Sequence, residues 1–397
     1  MRLCMISLDA VAQPDAGRLL GLPALSALAE NGVFCDNVET VYPTLTYPIH
    51  TSLITGCYPR THGIGHNQPF QPDAAPEMRK WFWSVGDIQV KTLYQAAKEK
   101  KLDVASVLWP VSGMNRYVHR NFPEVLPLPG ENAALKMLRY GSPEWILHME
   151  ALYGRTRKSI RQPHLDDYAA LLCERLYASY HPPEALFVHL VDCDAMRHQY
   201  GTDSEEAHAA MERLDTRVGR IIDAVRKAHL LEETLICVVS DHGQQDAPNG
   251  ILLDRELQAA CGARAQSLGM GAYIFGDNLK AARDALEAHQ AEWGIHTIYD
   301  EETLKALHAP ENVHLAVEAL PGHCFIDKQE ATFGEHGFGL DCPQARTLLW
   351  LSGPGIHIGR RMAEANLIDI APTIAKALGL SLPDAEGKIL NEAFVQQ

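Results

Sequence analysis

The strongest constraint on this chain is a set of short, almost continuous apolar runs separated by longer amphipathic stretches. Arg2–Leu8, Val104–Trp109, Ala185–Leu190, Thr234–Val239 and Thr347–Leu351 are rich in aliphatic and β-branched residues and lack polar alternation. Strands buried on both faces read this way, as in a parallel sheet covered by helices. Helical patterns lie between them, at Ala24–Glu30, Ile88–Lys101 and Asp203–His229. The last is the clearest, with Met211, Leu214, Val218, Ile221, Ile222 and Val225 on one face. Asp203 and Glu206 have the spacing of a capping box at its start. The alternation predicts an α/β fold with a mostly parallel central sheet flanked by helices. From Gln244 to Glu335 the rhythm changes. Strand candidates at Ala272–Phe275, His314–Glu318 and Cys324–Asp327 surround one helix near Leu279–Trp293. A core-type strand follows, so residues 244–335 are expected to form a small α+β subdomain embedded in one domain spanning 1–397.

Charge limits the partners. Against 35 Lys+Arg stand 50 Asp+Glu, a net charge of −15. Such a surface has no broad attraction for a nucleic-acid polymer or an anionic membrane, so an anionic substrate needs a local positive centre. The nine cysteines are scattered from Cys4 to Cys342 without a CxxC pair, which suits a reduced, cytoplasmic protein. The first apolar run ends at Asp9, too short for a signal-peptide core, and no run elsewhere approaches membrane-spanning length.

Ligands of parallel sheets sit at the carboxyl ends of the strands. Asp9 closes the first run. Asp194 and His198 follow the run that ends at Leu190, and Asp241-His242-Gly243 follows Ser240. His336 precedes the last run, in Gly334-Glu335-His336-Gly337. These three carboxylates and three imidazoles, without a thiolate, suit zinc, with manganese or iron as alternatives. Six donors exceed what one catalytic metal with an open position takes. They fit two divalent metals about 3.5–4 Å apart, the arrangement used for in-line displacement at phosphorus.

The nucleophile candidate lies in Pro43-Thr44-Leu45-Thr46-Tyr47-Pro48-Ile49-His50, although a threonine two residues before a proline also suits a helix start. This segment, Thr55-Gly56, Tyr58-Pro59, His62-Gly63-Ile64, Asp194 with His198, Ser240-Asp241-His242-Gly243 and the late Gly334-Glu335-His336-Gly337 come in order along the chain. Together with Asp369-Ile370-Ala371-Pro372-Thr373, they resemble the alkaline phosphatase superfamily, and within it the nucleotide pyrophosphatase/phosphodiesterase branch. The resemblance implies an alkaline-phosphatase-like fold and a two-metal phosphodiesterase working through a phosphothreonine intermediate. Thr46 would be the nucleophile and a ligand of the metal held by Asp9, Asp241 and His242. Asp194, His198 and His336 would hold the second metal, which serves the hydrolytic step. Asn67, 21 residues after Thr46, matches the asparagine that binds a non-bridging phosphate oxygen, beside the backbone N–H of Tyr47.

Thr46 and His50 stand in the frame where sulfatases carry their modified residue and an arginine, which argues against a sulfatase. The segment also lacks an arginine to grip a doubly charged monoester, so a small-molecule diester is favoured. A phosphonate substrate is the alternative, because phosphonoacetate hydrolases share these ligands, and Arg197 inside the metal loop departs from the diesterase pattern. Arg197, Tyr47 and Tyr200 are the candidate substrate contacts, the tyrosines either as stacking partners of a planar group or, equally, as wall or core aromatics. A catalytically silent metal-binding relative would lack a ligand or nucleophile, and none is missing.

Overall fold

Every residue from Leu3 to Leu8 is buried, which explains why that run carries so little polar alternation. In the computed structural model, which describes residues 1–395, it forms strand β1 (Arg2–Leu8) at the heart of the main sheet. The other strands are β2 (Val33–Glu39), β3 (Val104–Val107), β4 (Arg120–Phe122), β5 (Ala185–Leu190), β6 (Thr234–Ser240) and the strand Arg346–Ser352. Their order is β2, Arg346–Ser352, β6, β1, β5, β3, β4, with the short pieces Arg360–Arg361 and Ala365–Asn366 on β2 at the edge. Successive residues of β1 serve opposite faces, as a period of two requires. Cys4, Ile6 and Leu8 join one core with Leu186, Val188, Leu214 and Ile221, while Leu3 and Met5 join the other with Phe187, Leu53 and Ile374.

The sheet is mostly parallel and flanked by helices, as expected. One strand differs: Arg346–Ser352 runs antiparallel to both β6 and β2, where the apolar pattern alone suggested a parallel strand. Burial on both faces sets the pattern and is the same in either direction. The long amphipathic helix is Glu205–Lys227, and its cap is Ser204, whose hydroxyl accepts the Ala207 N–H at 3.2 Å. Asp203 instead pairs with His208, so the expected capping box does not form.

Within residues 244–335 four antiparallel strands form a second sheet, ordered Ile295–Tyr299, Ala316–Ala319, Gly271–Phe275 and Arg264–Ser267. Leu253, Leu257, Ile274, Leu286 and Val317 pack in a separate core against it. The Cys324–Asp327 candidate is shorter, His323–Phe325, and pairs with Asn249–Ile251 outside that sheet. Gly334–Glu335 pairs with Gln245–Asp246, so the chain returns beside the place where it left the main sheet. Among the described residues no helix is long and apolar enough to cross a membrane.

Candidate active site

Register assembles the site. Leu8 of β1 stands level with Leu190 of β5 and Ser240 of β6, so Asp9, the Asp192–Tyr200 helix and Asp241 all start at one rim. Asp194 and His198 share a face of that helix, one turn apart. His336 arrives from the opposite direction, ahead of the antiparallel strand, and its ring stacks on His242 with centroids 4.1 Å apart. Gly337 permits that approach. Its φ is +84°, and a Cβ there would stand 1.7 Å from the Leu268 carbonyl oxygen.

Thr46 opens the Thr46–Thr55 helix, with Leu45 at the cap position. Its hydroxyl is therefore not spent as a cap, and Oγ1 lies 3.2 Å from His242 Nε2. Among the described residues the donors fall into three groups, Asp9 with Asp241 and His242, Asp194 with His198 and His336, and His50 with His189 and Asp241, each with ligand atoms within 4.8 Å of one another. The imidazoles of the first two groups are held alike. Nδ1 of His198 faces the Gly334 carbonyl at 2.8 Å, that of His336 the Thr44 carbonyl at 3.1 Å, and that of His242 the Gly243 carbonyl at 3.2 Å. A carbonyl only accepts, so Nδ1 is the N–H and Nε2 is the nitrogen left to bind.

Those Nε2 atoms face carboxylates. His242 Nε2 is 3.4 Å from Asp241 and 3.6 Å from Asp9, and His198 Nε2 is 3.2 Å from Asp194. Asp9 Oδ1 and Asp241 Oδ2 are buried without a hydrogen-bond partner. Burial, then the Asp241 and Asp194 charges, push the Asp9 carboxyl well above the usual range, and burial raises Asp241 to about 6. Burial lowers His242 to about 4 and His336 to about 3, which keeps both in the neutral, ligating form. Burial opposes the charge of His198, yet Asp194 and Glu335 raise its pKa well above the ordinary value, so a cation taken up there would displace its proton. Lone pairs and orphaned carboxylate oxygens converging on buried space are the surroundings a divalent cation satisfies, and a set of nitrogen and oxygen donors fits zinc, manganese or iron.

Asn67 lies beside the nucleophile, but its Oδ1 accepts the Tyr47 N–H at 3.0 Å. The two therefore do not offer parallel donors, and the Asn67 carboxamide nitrogen is the one left. Tyr47 is fully buried, with its ring edge-on to Trp81 at 5.2 Å and its hydroxyl 3.4 Å from Glu124. Of the two readings of this tyrosine, its burial favours the wall or core aromatic. Arg197 is engaged within the protein. Its guanidinium donates to both Asp15 oxygens, at 2.6 and 3.1 Å, and to the Ala10 carbonyl, so it braces the segment after β1, while its Nε is buried without a partner. Tyr200 ends its helix 44% exposed and is free to be met.

Sequence reasoning missed three neighbours. His50 donates from Nδ1 to the Thr46 carbonyl at 2.8 Å, and Gln244 donates to Asp194 Oδ1 at 2.5 Å. Buried His189 stands between Asp9 at 3.0 Å and Glu124 at 3.3 Å. Burial opposes its charge, yet the two carboxylates together hold its pKa well above the ordinary value. A lone histidine inside the apolar β5 run was the available signal.

Residues 3–365 match the family model described as type I phosphodiesterase / nucleotide pyrophosphatase. The human ectonucleotide pyrophosphatase/phosphodiesterase family member 1 is 27% identical over 236 residues, covering 56% of this chain and 21% of that protein. The chain thus matches about a fifth of that relative's length. The mouse bis(5'-adenosyl)-triphosphatase enpp4 is 22% identical over 406 residues, covering 96% of this chain and 78% of the relative. Murine ectonucleotide pyrophosphatase / phosphodiesterase 5 superposes with a TM-score of 0.76 at 18% identity, covering all of both chains, and so shares the alkaline-phosphatase-like fold. An inactive variant of that protein in complex with AMP superposes equally well. With a match that runs from β1 through the His/Asp clusters, the chain belongs to the type I phosphodiesterase / nucleotide pyrophosphatase family.

Proposed function

We propose that this chain hydrolyses small phosphodiesters, nucleotide-derived ones foremost, with Thr46 as nucleophile. A pair of divalent cations, zinc by the donor set, would be held by Asp9, Asp241 and His242 on one side and Asp194, His198 and His336 on the other. The observation that carries this reading is the Thr46 hydroxyl, free of any capping role and 3.2 Å from Nε2 of His242, a member of the Asp9–Asp241–His242 cluster. When bound, the cations supply positive charge that lowers the pKa of the attacking hydroxyl and offsets the charge on phosphate.

Thr46 Oγ1 bonds to phosphorus as the opposite ester bond breaks and the alcohol leaves, giving a covalent phosphoester of Thr46. Water then adds to phosphorus, the bond to Thr46 breaks, and the threonine hydroxyl is restored. Two inversions leave net retention. The Asn67 carboxamide nitrogen donates to a non-bridging oxygen in both steps.

Arg197 is largely buried and spends its terminal nitrogens on Asp15 and the Ala10 carbonyl, which supports a diester over a doubly charged monoester or a phosphonate carboxylate. The AMP held by the structural neighbour's inactive variant and the dinucleoside triphosphatase name of the mouse relative support a nucleotide ester or anhydride. Tyr200 would lie against the base. All nine cysteines are unbridged, which supports action in a reducing compartment such as the cytoplasm.

The test is a parallel assay of zinc-loaded protein on a nitrophenyl nucleotide diester, a nitrophenyl monoester and phosphonoacetate. Diester turnover that disappears in Thr46→Ala supports the reading. Preference for phosphonoacetate, or activity retained in the variant, contradicts it.

A further inference from the structure

The two aspartates of the Thr46 cluster are oriented by different means. Asp241 is pinned by backbone: its Oδ1 accepts the His242 N–H at 2.8 Å and the Ala10 N–H at 3.2 Å, leaving Oδ2 free. No backbone N–H serves Asp9. Its Oδ2 instead stands 3.0 Å from His189 Nε2, at hydrogen-bond distance though off the bond's direction, and Oδ1 is left free on the side of His242. His189 is held in turn by Glu124, whose Oε2 is 3.3 Å from Nδ1. The other Glu124 oxygen takes the Tyr47 hydroxyl at 3.4 Å. His50, bonded to the Thr46 carbonyl, lies against the His189 ring with centroids 4.2 Å apart.

We infer that Glu124 and His189 form a positioning relay for Asp9, doing for this carboxylate what backbone N–H groups do for Asp241. The inference rests on the cation site proposed above. The relay fixes which Asp9 oxygen faces the cation, and through Tyr47 it ties that choice to the backbone that carries Thr46. His189 itself binds neither cation nor substrate. Groups that orient a ligating carboxylate usually change metal affinity about 10–100-fold when removed.

The experiment is zinc titration of cation-depleted full-length protein against a competing chelator, with thermal unfolding of the same depleted samples. The variants are His189→Leu, His189→Gln and Glu124→Gln. The parent should bind two equivalents. His189→Leu should weaken one of them about 10–100-fold; because it also removes the imidazole between two carboxylates, its Tm serves only to establish that the depleted variant is folded. His189→Gln, which can still donate an N–H to Asp9, should recover most of the loss. Glu124→Gln keeps the shape of a partly exposed residue and decides the matter if His189→Leu does not fold; it should weaken the same equivalent. Two equivalents bound at parental affinity in the folded variants would overturn the relay and leave the cation site standing. A third equivalent in the parent, lost in His189→Leu, would also overturn it, because His50, His189 and Asp241 would then be ligands themselves. A parent that takes up no zinc would overturn the site and the relay together.

Discussion

Arg197 offers a sharp separation between a structural and a substrate role. Its side chain is 5% exposed and that of Asp15 is 13% exposed, with two hydrogen bonds between them. Arg197→Met therefore strands a largely buried carboxylate. Removing one partner of such a pair costs about 3–5 kcal/mol. Asp15 keeps one donor, the Ala12 N–H at 2.9 Å, so the lower end of that range applies. With an unfolding entropy of about 2.1 cal/mol/K per residue, a chain of this size should lose roughly 4 °C in Tm. Adding Asp15→Asn removes the stranded charge and keeps an acceptor for Ala12, so the double variant should regain most of the loss. Tm of both variants and KM for the nitrophenyl diester are the measurements. The bracing role predicts lowered Tm, recovery in the double variant and a KM within about threefold of parent, a span under 1 kcal/mol. A KM raised tenfold or more with Tm unchanged, and no recovery on changing Asp15, would refute it.

Three further outcomes follow from particular side chains. Gly337→Ala places a methyl against the Leu268 carbonyl at positive φ, where the backbone alone costs about 1–2 kcal/mol; it should shift His336 and cost most of the bound zinc at that cluster, measured by atomic emission. His336→Ala should retain one zinc equivalent of two, and two full equivalents would remove it as a ligand. Buried His62 accepts the Ile64 N–H at Nδ1, and burial lowers its pKa to about 3. The folded state holds it neutral while the unfolded chain protonates near 6.5, so its contribution is complete above pH 6.5 and fades toward pH 3. Urea unfolding of the parent should lose about 1.4 kcal/mol per pH unit more than His62→Gln between pH 6 and 4, and equal slopes would contradict the assignment.

The rim was legible because carboxyl ends of parallel strands collect functional groups, and Asp9, Asp194 and Asp241 each follow an apolar run. Strand β2 was not, since Asp36 and Asn37 interrupt its apolar pattern. The direction of Arg346–Ser352 was hidden for another reason: a run buried on both faces carries no mark of its sense. The Arg197–Asp15 pair was not legible, because the neighbours of Arg197 in sequence are metal-loop residues while Asp15 lies 182 residues away. Glu124 and His189 escaped for the same reason, since 65 residues separate two side chains that meet only once β5 is in place. Tyr47 shows the converse limit, because adjacency to a nucleophile says nothing of which way a ring turns.

The central claim is that Thr46 attacks phosphorus. Acid quenching of zinc-loaded protein during turnover of a nucleotide diester, followed by peptide mass spectrometry, tests it directly. The account predicts a covalent nucleotidyl phosphoester on Thr46, absent from Thr46→Ala. Turnover without any adduct on Thr46, or with the adduct on another residue, would contradict it.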